Sequence, residues 1–492
     1  MKNIIFFYLL LNINIILTKQ NDIISFKLHS YEDNIVTKNK DDISSVFNII
    51  KQAYIYTNIK IGEPEYLIEC KFSTNALHFA MFYNEEELNE KNKNKKYDIK
   101  NSKSFKNITN LDKYFIRTKN DIHASEKFKM NFFDLNKKIN KEIIINDFDF
   151  VLVDKFHKKN NFSEIYYSSI GLSIFDNTLN EFNFIKNLKK NDFIEKYIWF
   201  IYYEKEETEK KEEINKLENL FNINKLFLIG DFPHNYKPNE FSKEQIYNIY
   251  TKDNFWSFKF KSLYFYENEN DNKNKLNNNK KKQELFSSNC QISLNDIFIY
   301  APYDYLIKIK KSFFDFYINK NICQVFIDED IESFYCFKSN YFNINNLKEF
   351  PTLYFEHNEF NYTFELSYKD LFIEYNEKYF FLIVNMNNDA DDYFLGRIFL
   401  YKYQFYFNPD SKSIGFYNPN IKFNKSNNEN TIVSNENNSK YLIYIIVLGS
   451  LLSISVICIF IIFFKNYKNK KRKRANELDD EYDYVSSNKI IN

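Results

Sequence analysis

Between its polar stretches the chain repeats one kind of segment, a short run of Ile, Phe, Tyr and Val bounded by Asn, Asp or Pro: "AYIYTNIKIG", "EIIINDFDFVLV", "KLFLIGDF", "TLYFEHNEFNYTFEL", "KYQFYFNP" and "SIGFYNP". Such runs are too short and too rich in β-branched and aromatic residues for helices, so they predict a mainly β protein with few helices. A β protein usually places Gly in many of its turns, yet this chain has six Gly and seven Pro. Each Gly that remains therefore marks a place where positive φ or close backbone approach is needed.

The two ends read differently from the middle. "MKNIIFFYLLLNINIILTKQ" has one Lys, an apolar run from Ile4 to Leu17 and then polar residues, the layout of a signal peptide over residues 1–20; an uncleaved anchor is the other reading. Residues 441–464 form an uncharged run long enough to cross a bilayer as a helix. The flank "KNYKNKKRKR" carries the positive charge expected on the cytoplasmic side. Together they predict a single-pass type I membrane protein of the secretory pathway, its large domain lumenal or extracellular and its tail, 465–492, cytoplasmic. The 492 residues then leave room for one large two-lobed domain or two ordinary ones. The net charge of +1 gives no field for nucleic acid, and the basic cluster suits orientation and anionic lipid.

Polar stretches at 84–100, from Glu204 ("EKEETEKKEEINK") and from Glu267 ("ENENDNKNKLNNNKKKQE") read as solvated insertions. Residues 421–440 read as a flexible stalk. Five sequons, at Asn107, Asn161, Asn361, Asn424 and Asn437, are glycosylation candidates in this topology. The six His, at 29, 78, 123, 157, 234 and 357, show no metal-ligand spacing, and no cofactor motif is present. With no Gly-x-Ser-x-Gly elbow, no serine stands out as a nucleophile.

Several segments, in order, resemble the pepsin-like aspartic proteases (peptidase family A1), in particular the membrane-anchored type of apicomplexan parasites, whose Asn/Lys-rich insertions are similar. "YTNIKIGEP" from Tyr56 resembles the family's opening strand and turn, and "SSIGL" from Ser168 its hydrophobic-Gly-Leu segment. "KLFLIGDF" from Lys225 and "NFWSFKF" from Asn254 resemble the strands that close the first lobe and open the second. "FPTLYFEHNEFNYTFELSYKDLFIE" from Phe350 and "YFLGRIFLYKYQFYFNPDSKSIGFYNP" from Tyr393 resemble the later hairpin and the closing LGDxFxRxYxxxFD…IGxA segment. Gly62, Gly171, Gly230, Gly396 and Gly415 fall at turn or close-packing glycines of the family.

The resemblance implies a bilobal pepsin-like fold with an N-terminal lobe over 51–235 and a C-terminal lobe over 236–420, preceded by a leader or pro-like segment over 21–50. It also implies a disulfide between Cys323 and Cys336, which a lumen would permit. Cys70 and Cys290 either pair across the lobes or are small buried thiols, and Cys458 lies in the membrane run.

What is missing is the chemistry. The family's reaction needs two carboxylates sharing one proton, one to activate water and one to protonate the substrate carbonyl. The resemblance places the first Asp-Thr-Gly loop on Ser73, Thr74 and Asn75, and the second on Ser293, Leu294 and Asn295. The same Cys-x-hydrophobic-Ser pattern, Cys70 to Ser73 and Cys290 to Ser293, supports that register; a gap would instead bring in Asn295 or Asp296, the residual acid candidate. The flap's Tyr position falls near Thr118, in a hairpin without Gly.

The expectation is a catalytically inactive relative that binds an extended polypeptide in its cleft by strand-like pairing. The alternatives are an active endopeptidase with a displaced dyad, or a surface structural or adhesion protein on the same scaffold. In the tail, Tyr482-Asp483-Tyr484-Val485 resembles a tyrosine-based sorting signal for trafficking adaptors, or is simply solvated.

Overall fold

The computed structural model describes residues 23–30, 42–52, 54–74, 76, 79–82, 97, 99–107, 122–134, 139–153, 168–174, 183–204, 217, 225–251, 255–268, 280–285, 288–328, 331–386, 392–421, 465 and 467–469. The residues up to Lys422 form one compact unit and those from Phe423 another. The signal-peptide run, the stalk, the membrane run 441–464, Cys458, Tyr482 and Val485 lie outside the described residues. So do Asn75, Thr118, Asn161, Asn424 and Asn437. Among the described residues no helix is long and apolar enough to cross a membrane.

The first unit is mainly β. Its first half supplies β1 (Ile24–Ser30), β2 (Ile55–Ile61), β3 (Tyr66–Ser73), β4 (Ala80–Phe82), β5 (Lys106–Asn107), β6 (Ile122–Asp134), β7 (Ile139–Val153), β8 (Ser168–Gly171), β9 (Trp199–Tyr203) and β10 (Lys225–Ile229). Then follow β11 (Ile246–Tyr250), β12 (Ser257–Phe260), β13 (Ser262–Asn268), β14 (Lys280–Leu285), β15 (Ser288–Ile292), β16 (Ile299–Tyr300), β17 (Cys323–Ile327) and β18 (Ile331–Phe337). The chain ends its sheets with β19 (Leu353–His357), β20 (Tyr362–Leu366), β21 (Phe372–Tyr375), β22 (Lys378–Phe381), β23 (Ile383–Met386), β24 (Tyr393–Leu395), β25 (Phe405–Asn408) and β26 (Ser413–Tyr417).

These strands form three sheets. The largest has 13 strands in the order β11-β26-β25-β9-β10-β1-β2-β3-β8-β4-β7-β6-β5, and β6 also pairs with β1 and β2, so that part closes on itself as a barrel. The other two are a nine-stranded sheet running from β12 to β21 and a four-stranded sheet in the order β14-β13-β19-β20. Strand burial follows position. β2 alternates, with Ile55, Thr57, Ile59 and Ile61 inward, as a half-covered strand should. β9 and β26 are buried at every residue, because both of their faces are covered.

Two polar stretches are built differently from the sequence expectation. Tyr97, inside the supposed insertion 84–100, is 1% exposed and donates its hydroxyl to the fully buried Glu126, which also accepts from Ser102 Oγ at 2.6 Å. The insertion from Glu267 begins in β13 and ends in β14, which pair from Leu263↔Leu285 to Asn268↔Lys280. Residues 21–50, the leader or pro-like segment of the sequence reading, include β1, held between β10 and β2, and most of the helix Ile43–Gln52. Phe47 on that helix stacks on Phe326 at 4.0 Å and lies against Phe298 and Phe380.

The expected disulfide is formed between Cys323 and Cys336, which face each other across β17 and β18. Cys70 and Cys290 are free and fully buried, and burial pushes both thiols well up.

Candidate site at the paired serine loops

β3 ends at Ser73 and β15 ends one residue before Ser293, and the two strands are held in the same way. β3 pairs in parallel with β8, Cys70 opposite Ser168 and Ser73 opposite Gly171. β15 pairs in parallel with β24, Cys290 opposite Tyr393 and Ile292 opposite Leu395. Leu172 N donates to Ser73 O at 2.8 Å, and Ser293 N donates to Leu395 O at 3.0 Å. Three residues beyond each serine a carbonyl accepts from the chain just past the paired glycine: Ser173 N to Ala76 O at 3.2 Å, and Arg397 N to Asp296 O at 2.8 Å.

Gly396, between β24 and the helix Arg397–Lys402, has no room for a side chain. A Cβ there would lie 2.1 Å from Phe298 O, 2.6 Å from Ile297 O and 2.8 Å from Asp296 O, all backbone atoms that cannot swing away. Gly62 turns the chain between β2 and β3 with φ of 84°, in the left-handed region. Gly171 ends β8, Gly230 follows β10, and Gly415 in β26 lies under the ring of Tyr406.

The two loops meet. Thr74 is 1% exposed, and its Oγ1 donates to Ile292 O at 2.8 Å, tying the first loop to the residue before Ser293. Trp256, just before β12, donates its indole N–H to Leu172 O at 2.7 Å and accepts at its own carbonyl from Ile292 N at 2.9 Å, a second tie between the surroundings of the two loops. Leu294 stands where the second loop would need a hydroxyl to return the Thr74 bond. It is fully buried instead and packs beside Ile201, Leu400 and Phe407.

Asp296 is the acid at this place. Its Oδ2 accepts from Ser293 Oγ at 2.7 Å and its Oδ1 from Tyr300 Oη at 3.1 Å, so hydroxyls hold both oxygens. Among the described residues no second carboxylate is hydrogen-bonded to it, and no group of His, Cys, Asp and Glu could hold a metal ion. Arg397 is the nearby cation: burial lowers its pKa, while Tyr203 and Asp296 act to raise it. Asn295 Oδ1 is buried without a partner.

Sequence reasoning singled out Ser73, Thr74, Ser293, Leu294, Asn295 and Asp296, and the structure gathers them around the Thr74 to Ile292 bond. It missed Tyr300, Trp256 and Arg397. The last had a signal, since the closing pattern that the segment from Tyr393 resembles has Asp where Arg397 stands. The sequons at Asn107 and Asn361 are both exposed, the first on the outermost strand β5 and the second in the turn between β19 and β20. No family model matches the chain, and no curated protein matches it.

Proposed function

We propose that the chain is a membrane-anchored, pepsin-like pseudoprotease that holds an extended polypeptide without cutting it. The observation that carries this reading is the pair of matching loops: Ser73 ends and Ser293 directly follows equivalent parallel-paired strands, Thr74 ties the loops together, and Asp296, with no second carboxylate bonded to it among the described residues, is held by two hydroxyls. A two-carboxylate mechanism requires a second acid sharing a proton with the first, and one carboxylate cannot act as base and acid at once. The bilobal pepsin-like arrangement is supported by the repeated strand pairing and by the sheet that carries strands from both halves, β9 and β10 beside β25 and β26. The anchored topology, with a signal peptide over 1–20, a spanning helix over 441–464 and a tail that addresses trafficking adaptors, rests on the sequence alone.

One observation favours a second reading, a structural or adhesion protein on this scaffold. Phe47 packs against Phe298, two residues beyond Asp296, so the chain's own helix covers part of the second loop. Cleavage of a peptide library across acidic pH by the purified full chain tests both against the enzyme. Cleavage blocked by a statine-type transition-state analogue overturns the pseudoprotease reading. Folded protein that does not cleave, but retains extended peptides, supports it; folded protein that neither cleaves nor retains them moves the function to the outer surface.

A further inference from the structure

β11 is the last strand of the 13-stranded sheet and, among the described residues, pairs only with β26. Its hydrogen-bond phase is fixed at both ends: Asn418 N donates to Gln245 O, and Thr251 N donates to Lys412 O, each at 2.9 Å. In an antiparallel ladder, residues that bond to one neighbour alternate with residues that face away from it. Tyr247 and Ile249 therefore bond to β26, and the N–H and C=O groups of Ile246, Asn248 and Tyr250 point out of the sheet.

Proteins usually blunt such an edge with charge or Pro. β14, on the edge of the four-stranded sheet, carries three lysines, and β5, at the far end of the sheet that holds β11, is two residues long and begins with Lys106. β11 is Ile-Tyr-Asn-Ile-Tyr, without charge or Pro, and Tyr250 at its end is 72% exposed. Asn248 is exposed as well; its Oδ1 accepts from Tyr406 Oη, and its amide still carries two N–H donors.

The order of these five residues says what fits the edge. A second β11 laid antiparallel, with Asn248 opposite its own copy, sets Ile246 opposite the partner's Tyr250 and Tyr247 opposite the partner's Ile249. Every Ile then meets a Tyr, a favourable cross-strand pairing, and the two Asn amides face each other. Ile246, Asn248 and Tyr250 all become hydrogen-bonded pairs, exchanging two backbone bonds each. A shift of two residues either way sets Asn248 opposite Ile246 or Tyr250 and loses the match. A patch that is complementary to itself is what a two-fold interface requires.

We propose that two copies of the chain pair β11 to β11 about a two-fold axis at Asn248, joining their large sheets edge to edge. β11 supplies none of the residues at the serine loops, so the pairing stands whether or not a polypeptide is held there.

The test is sedimentation velocity of the full chain in detergent from about 1 to 100 μM, the range in which so small an interface should dissociate. A monomer–dimer equilibrium is expected. Tyr250→Lys changes an exposed side chain, and Asn248→Pro removes an N–H that faces out of the sheet, so both variants keep the ladder to β26. Each should weaken dimerisation at least about tenfold. In a Cys458→Ser background, Asn248→Cys should form a disulfide dimer on mild oxidation, because a hydrogen-bonded pair has Cα atoms about 5.5 Å apart. Tyr250→Cys, about 14 Å along the strands from its own copy, should not. A chain that stays monomeric, a dimer indifferent to Tyr250→Lys, or equal cross-linking at both positions would overturn the proposal. So would amides of Ile246, Asn248 and Tyr250 protected from hydrogen exchange in the monomer, since another segment would then cover the edge.

Discussion

Phe47→Ala probes whether the first fifty residues are part of the folded unit. The side chain is 1% exposed, stacks on Phe326 with centroids 4.0 Å apart and planes 7° apart, meets Phe380 edge-on at 5.4 Å and lies 6.1 Å from Phe298. Three rings from the second half of the chain would face the cavity, so the loss should be that of a core Phe, about 3–5 kcal/mol. Set against a total stability of roughly 5–15 kcal/mol, that is a large fraction. The assay is urea unfolding followed by tryptophan emission. Trp199 and Trp256 are both fully buried and pack edge-to-face at 6.0 Å, so they report loss of the packed core. The midpoint should fall at unchanged slope, while Ser44→Ala on the exposed face of the same helix should move it by less than about 0.5 kcal/mol. A Phe47→Ala cost below about 1 kcal/mol would refute the reasoning and make the helix an appendage. The same result would revive residues 21–50 as a segment the folded protein can shed.

Three further outcomes are expected. Thr74→Val should destabilise by about 1–3 kcal/mol in the same assay, because Ile292 O loses a buried donor, whereas Thr74→Ser, which keeps the hydroxyl, should cost less; equal costs would show that the bond between the loops contributes nothing. Replacing both Cys323 and Cys336 by Ser should cost about 3 kcal/mol, the loop entropy released by a bridge of sequence separation 13, and stability insensitive to reductant would contradict it. His357 is buried, accepts from Phe360 N on Nδ1, and desolvation lowers its pKa to about 4. A lowered histidine pKa means that its stabilising contribution is full above about pH 6.5 and is lost as the pH falls toward 4. The loss is on the order of 3 kcal/mol, so a urea midpoint in His357→Leu that falls with pH as steeply as in the parent would sink the assignment.

The strands were legible where their side chains alternate or stay apolar, as in β2, β10 and the β19–β20 hairpin, because period and length separate a strand from a helix there. They were illegible where position in the sheet reverses the rule. β14, "KKKQEL", is an edge strand of the four-stranded sheet, and lysines on an edge discourage pairing with other chains, so its composition resembles a loop. Tyr97 stands alone in a lysine-rich stretch, and a single buried aromatic has no period to betray it. The helix Ile43–Gln52 did carry its signal: Ile43, Val46, Phe47 and Ile50 have the spacing of one helical face. Its place near the chain start masks that signal, because a short amphipathic run behind an apolar N-terminal segment also suits a leader or pro-like segment.

At the site, what the fold retains and what it lacks separate by physical cause. Gly396 is fixed by backbone oxygens within 3 Å of any Cβ, and Thr74 by a buried bond between the loops; both are demands of packing and polar satisfaction. Ser73 and Ser293 meet no such demand for an acid. Ser293 instead fits the Asp296 carboxylate as a donor, and an aspartate in its place would set two like charges against each other unless one stayed protonated. The second loop is therefore consistent with itself as a hydroxyl–carboxylate pair, and Leu294 seals it with an apolar side chain where a returning hydroxyl would be left in an apolar cavity. The arrangement stabilises the meeting of the two loops without a proton-sharing dyad. On the reading proposed above, that meeting of the loops is what the chain retains, and a second carboxylate bonded to Asp296 is what its described residues lack.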